Sequence, residues 1–302
     1  MLHLPDNIKV HWAGAEVMNQ YIATKALGVN YYLYTAFPFV ERMVFGKGKA
    51  PIMPLKWQRA NPAHDIPRYI IDNNINTIQD SGLFTLLFGS RKGTKDEAIL
   101  NRWYDALVQF TIEHAAGAIC VEMDCQDLIG TEKAWQFRER MKRDLPNNRI
   151  INVWHPIDGQ KGLDRMIEFS DYISFSSLAF PLKVRREKTR QMAYYIKTKK
   201  PEIDIHILGC TVLDILGDMR FCTSCDSTTW TGVKRFGYIE GHHQKKLRTD
   251  KVRELFGDTI YNQVLEYNNE TNTNGLLTNI ERLKRQYEMI AGNQNYTPYE
   301  NN

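Results

Sequence analysis

Eight short stretches rich in β-branched or aromatic residues recur along the chain: Lys9–Ala13, Tyr31–Phe37, Asn76–Asp80, Ala118–Asp124, Ile150–His155, Tyr172–Ser176, Asp204–Cys210 and Phe221–Asp226. Helical patterns separate most of them, at Glu16–Leu27, Lys95–Ala115, Glu132–Arg143, Gly162–Phe169, Arg185–Thr198 and Val212–Met219. The clearest precedes the fourth strand, where Leu100, Trp103, Leu107, Phe110 and His114 recur at helical spacing with charges between them. Strand and helix alternating in this way predict an α/β fold, a (β/α)8 TIM barrel. An open doubly wound sheet is the competing arrangement. It calls for fewer strands and a glycine-rich first turn, which Ala13-Gly14-Ala15 does not supply.

A chain of 302 residues, 43% hydrophobic and 25% charged, can bury one large barrel core. The barrel is expected over residues 1–240, with an irregular insertion after the second strand at Gly46–His64, where Pro51, Pro54 and Pro62 break any regular pattern. Residues 241–302 are expected to form a helical extension packed on the barrel. Its helices fall near Asp250–Tyr267 and Asn274–Ile290, and in the second Leu276, Ile280, Leu283, Tyr287 and Ile290 make one apolar stripe. Asn293–Asn302 reads as a polar tail.

The net charge of +4 admits a nucleic-acid partner without requiring one. Candidate phosphate contacts are Lys47, Lys49, Lys56 and Arg59 in the insertion, where a solvated loop is the plainer account, and Lys234, Arg235, Lys245 and Lys246 after the eighth strand. Five cysteines make no secreted-type disulfide framework and point to a reducing compartment. The opening Met1–Asp6 lacks a basic and then apolar leader, and no run of about 18 apolar residues occurs. A cytoplasmic protein without a membrane partner is the expectation.

Barrel enzymes build their sites from the loops at the C-terminal ends of the strands. Here those ends read Gln79-Asp80-Ser81-Gly82-Leu83-Phe84 for the third strand, Glu122-Met123-Asp124-Cys125-Gln126-Asp127 for the fourth, Trp154-His155-Pro156 for the fifth, Ser176-Ser177-Leu178-Ala179 for the sixth and Asp226 for the eighth. Asp80, Asp124 and Asp226 are therefore expected at one mouth. Like charges in one pocket push their pKa values apart, so that one serves as acid or base while another stays an ionised nucleophile. Taken singly, each is also a plausible turn or helix cap, Asp226 with its Ser227-Thr228-Thr229 neighbours above all.

Asp80-Ser81-Gly82 followed by Leu83-Phe84 resembles the Asp-Ser-Gly-Gly-aromatic motif of the tRNA-guanine transglycosylase superfamily. Asp226 falls where that family's nucleophilic aspartate ends the eighth strand, and Met123-Asp124-Cys125 is similar to the segment whose aspartate reads the purine edge. The form Asp226-Ser227-Thr228-Thr229-Trp230 looks most like the phage and bacterial branch that inserts 7-deazaguanines, such as 7-cyano-7-deazaguanine, into DNA. The resemblance spans roughly residues 8–240. It implies that Asp226 attacks C1′ of the target nucleotide, Asp80 acts as general acid and base, and Asp124 accepts hydrogen bonds from N1 and the exocyclic amine. Ser81, Gly82, Ser177 and the Leu178-Ala179 backbone would line the base pocket, and Phe84 and Trp230 are candidate stacking platforms, with core packing as the plainer reading of both aromatics. The implied partners are DNA, with tRNA as the alternative, and the free 7-deazaguanine base. The target nucleotide would be flipped out or already unpaired.

Departures from the family pattern are specific. Gly82-Leu83 replaces the usual Gly-Gly, and the glutamine that ends the family's fifth strand is absent, so His155 or Gln160 is the candidate substitute. The zinc motif that follows the eighth strand in bacterial tRNA enzymes is also absent. Cys222 and Cys225 with His242 or His243 make an alternative zinc set, but buried thiols are the preferred reading and no cofactor is expected. About 60 residues follow the barrel, too few for the RNA-binding domain of the archaeal enzymes, which tilts the substrate toward DNA. Two other classes stay open: a barrel nucleoside or glycoside hydrolase using Asp80 and Asp226 with water, and a non-catalytic nucleic-acid-binding subunit.

Overall fold

All eight strands form, and they close into one parallel barrel in the order β1 to β8. They are β1 (Lys9–Ala13), β2 (Tyr31–Thr35), β3 (Asn76–Asp80), β4 (Ile119–Val121), β5 (Arg149–Trp154), β6 (Tyr172–Ser176), β7 (Asp204–Leu208) and β8 (Ser224–Ser227). β1 pairs with both β2 and β8, which leaves no open edge. This computed structural model describes residues 8–14, 18–46, 76–88, 96–210, 212–231, 248–266 and 268–291. The expected insertion at 47–64 and the cations Lys234, Arg235, Lys245 and Lys246 lie outside them.

The helices are α1 (Met18–Ala26), α2 (Phe37–Phe45), α3 (Leu83–Phe88), α4 (Glu97–His114), α5 (Gln126–Ile129), α6 (Thr131–Asp144), α7 (Gly159–Phe169), α8 (Arg185–Lys199), α9 (Leu213–Asp218), α10 (Thr249–Glu266) and α11 (Glu270–Ala291). Period-two alternation divides each strand between two environments. Ala13, Leu33, Ile78, Val121, Ile151, Val153 and Tyr172 fill the barrel interior. Residues of the opposite parity, such as Trp12, Tyr32 and Cys225, join the larger layer between barrel and helices. Helices α10 and α11 belong to that same layer, since Val252, Phe256, Tyr261, Leu277 and Ile280 pack in one cluster with Val10 and Trp12. Helix α11 lies against α1, α9 and β1, so it closes the helical ring between the first and seventh helical layers. It occupies the place of the eighth barrel helix and is more than an appendage.

Several boundaries differ from the sequence reading: β4 covers only Ile119–Val121, β5 is shifted by one residue to Arg149–Trp154, and β7 stops at Leu208. The second strand stops at Thr35, and Phe37 opens helix α2 with Pro38 in its first turn, where proline's missing N–H costs no helical bond. The eighth strand begins at Ser224; before it, Cys222 N–H bonds back to Met219 O in a turn. Among the described residues no helix is long and apolar enough to cross a membrane.

Candidate active site

Asp80 is the last residue of β3. Its neighbour Gln79 points outward, where its amide meets the Tyr34 hydroxyl at 2.7 Å and Thr111 of α4 at 2.6 Å. Alternation therefore turns Asp80 to the barrel axis. The Asp80 carboxylate accepts the Gly82 N–H at 2.7 Å and the Thr35 hydroxyl at 3.4 Å. Burial nonetheless raises its pKa from 3.8 to about 7; the Gly82 N–H opposes the rise, and the charges of Asp124 and Asp226 add to it. Asp80, Asp124 and Asp226 stand at or just beyond the C-terminal ends of β3, β4 and β8 of the one closed parallel barrel.

Asp226 lies on β8 opposite His11 of β1. Its Oδ1 accepts the Gly209 N–H at 2.9 Å and stands 3.1 Å from His206 Nε2. His206 Nδ1 is 2.6 Å from Ser224 Oγ, which is in turn 2.5 Å from the Tyr172 hydroxyl. The His206 side chain is 0% exposed and that of Asp226 12%, so the imidazole lies beneath the carboxylate. His11 sits beside them, its ring 6.3 Å from that of His206 in an edge-on contact. Neither His11 ring nitrogen makes a well-formed hydrogen bond, although the Lys9 and Cys225 backbone lies near. Burial, reinforced by His206 and opposed by Asp226, lowers the His11 pKa to about 3 and keeps the ring neutral.

Asp124 follows β4, and its Oδ2 is 3.2 Å from Nε2 of His155, the residue after β5. The other ring nitrogen, Nδ1, is 2.8 Å from Asp127 Oδ2 on α5. Burial opposes the charged imidazole, but the hydrogen bonds and charges of Asp124 and Asp127 prevail and raise its pKa to about 9. A second carboxylate, Asp158, accepts the His155 N–H at 2.9 Å and the Gln126 amide at 3.2 Å. Behind this corner, Glu122 and Arg138 form a buried pair at 2.8 Å, with Asn152 donating to Glu122 at 2.6 Å and Arg138 donating to Val153 O at 3.0 Å. The ends of β4 and β5 are thus tied together under Asp124 and His155.

Several predicted site residues are placed elsewhere. Trp230 is 1% exposed: its indole N–H donates to Ala13 O at 2.8 Å and its ring packs on Trp12, so it belongs to the outer core and not to a stacking platform. Ser81 is buried, with its hydroxyl accepting the Leu83 N–H and its carbonyl accepting the Trp103 indole N–H; it builds the turn. Ser177 is buried with its hydroxyl on Cys210. The Leu178 N–H is spent on Ser176 Oγ at 3.2 Å, and Ala179 closes the same 3-10 turn over Ser177–Ala179, so this backbone is engaged in its own turn. Both nitrogens of His155 are engaged, so in place of a free donor replacing glutamine it acts as a clamp on Asp124.

Phe84 is 69% exposed in the first turn of α3, and Leu178 is 64% exposed in the 3-10 turn after β6. Leu182 and Lys183 stand exposed after β6 as well. Gly82, with Asp80, forms the turn described above. Cys222 and Cys225 are fully buried in the main apolar cluster, where burial pushes both thiols up, and His242 and His243 lie outside the described residues. Among the described residues no group of three or more metal-ligating side chains gathers. A cleft of about 480 Å³ opens instead at the N-terminal ends of β5 and β6, between Lys142, Asn148, Arg149 and Asp171, away from the carboxylates.

Sequence reasoning missed His11, His206, Ser224 and Tyr172. Each stands at an inward position of its strand, and two histidines at inward positions of otherwise apolar strands were the available signal.

No family model and no curated protein matches the chain. Among solved structures it is similar to a crystal structure of oxaloacetate acetylhydrolase, at 13% identity and a TM-score of 0.40, over 86% of this chain and 93% of that one. The barrel assignment rests on the strand pairing itself.

Proposed function

We propose that this chain is a base-exchange glycosyltransferase that replaces guanine in DNA with a 7-deazaguanine. The observation that carries the reading is the pairing at one barrel mouth of two unlike carboxylates: Asp80, whose pKa near 7 lets it hold a proton at neutrality, and Asp226, held by two N–H donors on one oxygen. In the first step Asp226 Oδ2 attacks C1′; the C1′–N9 bond breaks, its electron pair goes to the base, and Asp80 supplies the proton to N9. In the second, N9 of the incoming base attacks C1′, the pair of the C1′–Oδ2 bond returns to Asp226, and Asp80 takes the N9 proton back. Asp124, oriented by a protonated His155, accepts the N1–H and amino protons of the base.

DNA is preferred over tRNA because the stretch after β8 lacks the zinc cysteines of the tRNA enzymes. The test is mass spectrometry of nucleosides after incubating the protein with DNA or tRNA and 7-cyano-7-deazaguanine, together with an assay of labelled guanine release. Incorporation into DNA that depends on Asp226 is expected. Guanine release without any added base would instead establish a hydrolase, incorporation into tRNA alone would overturn the DNA assignment, and no reaction with either would end the proposal.

A further inference from the structure

We infer that Asp226 is a divided carboxylate: Oδ1 is a fixed acceptor held by His206 and Gly209, Oδ2 alone bonds to the sugar, and His206 is a positioning residue set by Ser224 and Tyr172. This rests on the reading of Asp226 as nucleophile.

The argument starts from depth. In a nucleophile–histidine–carboxylate array the imidazole meets the substrate and the carboxylate stands behind it. Here the order is inverted, because His206 is wholly buried and only the carboxylate reaches solvent. The imidazole therefore serves the carboxylate. The hydrogen-bond directions follow from the chain of contacts. With Asp226 as a carboxylate, Nε2 must carry the proton and donate to Oδ1, so Nδ1 of a neutral ring is an acceptor. Ser224 O–H then donates to Nδ1, and Tyr172 O–H, kept protonated by burial, donates to Ser224. All four groups are satisfied in this one direction. Reversing it would aim an imidazole lone pair at the carboxylate.

The groups around Asp226 fit the same picture. His11 of β1 is neutral, His206 and the Gly209 N–H approach from β7 and the residue after it, Tyr172 of β6 acts through Ser224, and Asp80 of β3 and Asp124 after β4 are acids. No lysine or arginine contacts Asp226 among the described residues. Orientation thus comes from an imidazole and a backbone N–H on Oδ1, with no lysine or arginine among the described residues placed against Oδ2 to quench it as a nucleophile.

The two steps use this division differently. When Oδ2 bonds to C1′ as the C1′–N9 bond breaks, Oδ1 becomes the ester carbonyl oxygen and keeps both donors. When the incoming N9 bonds to C1′, the C1′–Oδ2 pair returns to a carboxylate whose developing charge meets the His206 N–H and the Gly209 N–H, donors preplaced in the manner of an oxyanion hole. His206 should therefore matter most for resolving the covalent adduct.

The experiment compares wild type, H206N, H206Q and Y172F on guanine-containing single-stranded DNA with 7-cyano-7-deazaguanine, measuring kcat, KM for DNA and the fraction of protein held as a denaturation-resistant DNA adduct. Asparagine can reach Ser224 but not Asp226, whereas the glutamine amide can still donate to Oδ1. H206N should lose about 10²-fold in kcat, with KM for DNA falling alongside it and a larger steady-state adduct fraction. H206Q should recover to within about tenfold of wild type, the rescue that a role in packing alone would not give. Equal rates for H206N and wild type, equal loss in H206N and H206Q, or no rise in adduct would overturn the inference. Should H206N show no cooperative thermal transition, Y172F decides: lower kcat with more adduct supports the relay, and wild-type behaviour overturns it. A wild type that forms no adduct and exchanges no base overturns the nucleophile reading and this inference with it, which the first lane shows before any variant is compared.

Discussion

Gly82 stands so close to Phe37 that a Cβ built on it would lie 2.7 Å from the Phe37 Cα and Cβ. Its φ is +75°, a region L side chains disfavour. Both facts serve one purpose: the chain must turn sharply from β3 into α3 so that the Gly82 N–H points back at Asp80. G82A is expected to cost ~2 kcal/mol or more, since neither the backbone of α2 nor the turn can give way cheaply. Gly217 in α9, with open space where its Cβ would go, is the control, and G217A should be neutral or slightly stabilising. Thermal melts of both variants check this; a G82A melt at the wild-type temperature would refute the close-packing account.

Asp80 gives a stability prediction of opposite sign to the usual carboxylate. Its folded pKa of about 7 lies above the ordinary 3.8, so the folded state binds the proton more tightly and stability falls as pH rises from about 4 to about 7. D80N removes that penalty. It should be more stable than wild type above about pH 7, by up to ~4 kcal/mol as a ceiling, and less because the side chain is partly exposed. The gain should fade toward pH 4. Base release should meanwhile slow by roughly 10²–10⁴-fold. Denaturant titrations at several pH values measure the first, and a D80N advantage that is the same at pH 4 and pH 8 would contradict the burial account.

The strands β1, β3 and β6 were legible to the residue because alternation and β-branched or aromatic content mark them. The carboxylates Asp80, Asp124 and Asp226 were legible because a barrel puts strand ends at one face. Helix α2 was not, since its aromatic start at Phe37 continues the run Tyr31–Tyr34 and only the packing of Phe37 on Gly82 separates them. His206 and His11 escaped notice for a different reason. A single histidine in an apolar strand reads as core until barrel closure pairs β1 with β8 and sets His11 opposite Asp226. For Trp230 the plainer reading as core holds over the candidate stacking role, because the 3-10 turn after β8 carries it outward to Ala13 O.

Arg138 and Glu122 form a pair that is nearly sealed, with side chains 2% and 1% exposed. Removing one partner strands the other charge, so R138A should cost about 3–5 kcal/mol. R138M combined with E122Q removes the Glu122 charge along with its partner and should cost less than R138A alone, even though Asp158, 3.9 Å from Arg138, loses its cation and Val153 loses one of its partners. Urea unfolding of the single and double variants provides the test. A double variant less stable than R138A would mean that the pair is not the source of the cost. Because the network underlies both Asp124 and His155, R138A is also expected to weaken binding of the free base.

His155 supplies a pH dependence of the same sign as Asp80 but in a higher pH window. Its folded pKa of about 9 exceeds the ordinary 6.5, because the Asp124 and Asp127 carboxylates outweigh the cost of burying the charged ring. The stabilisation is therefore fully present below about pH 6.5 and is lost as pH rises through about 9. H155Q keeps the size and loses the charge. Asp127 is 60% exposed and its share is screened by solvent, so the expected deficit at pH 6 is on the order of 1–2 kcal/mol. The deficit should shrink to nothing above about pH 9, where wild type has released the same proton. Melting temperatures of wild type and H155Q from about pH 6 to about pH 10 would trace this convergence. Parallel curves over that range would show that His155 acts through packing and not through its charge.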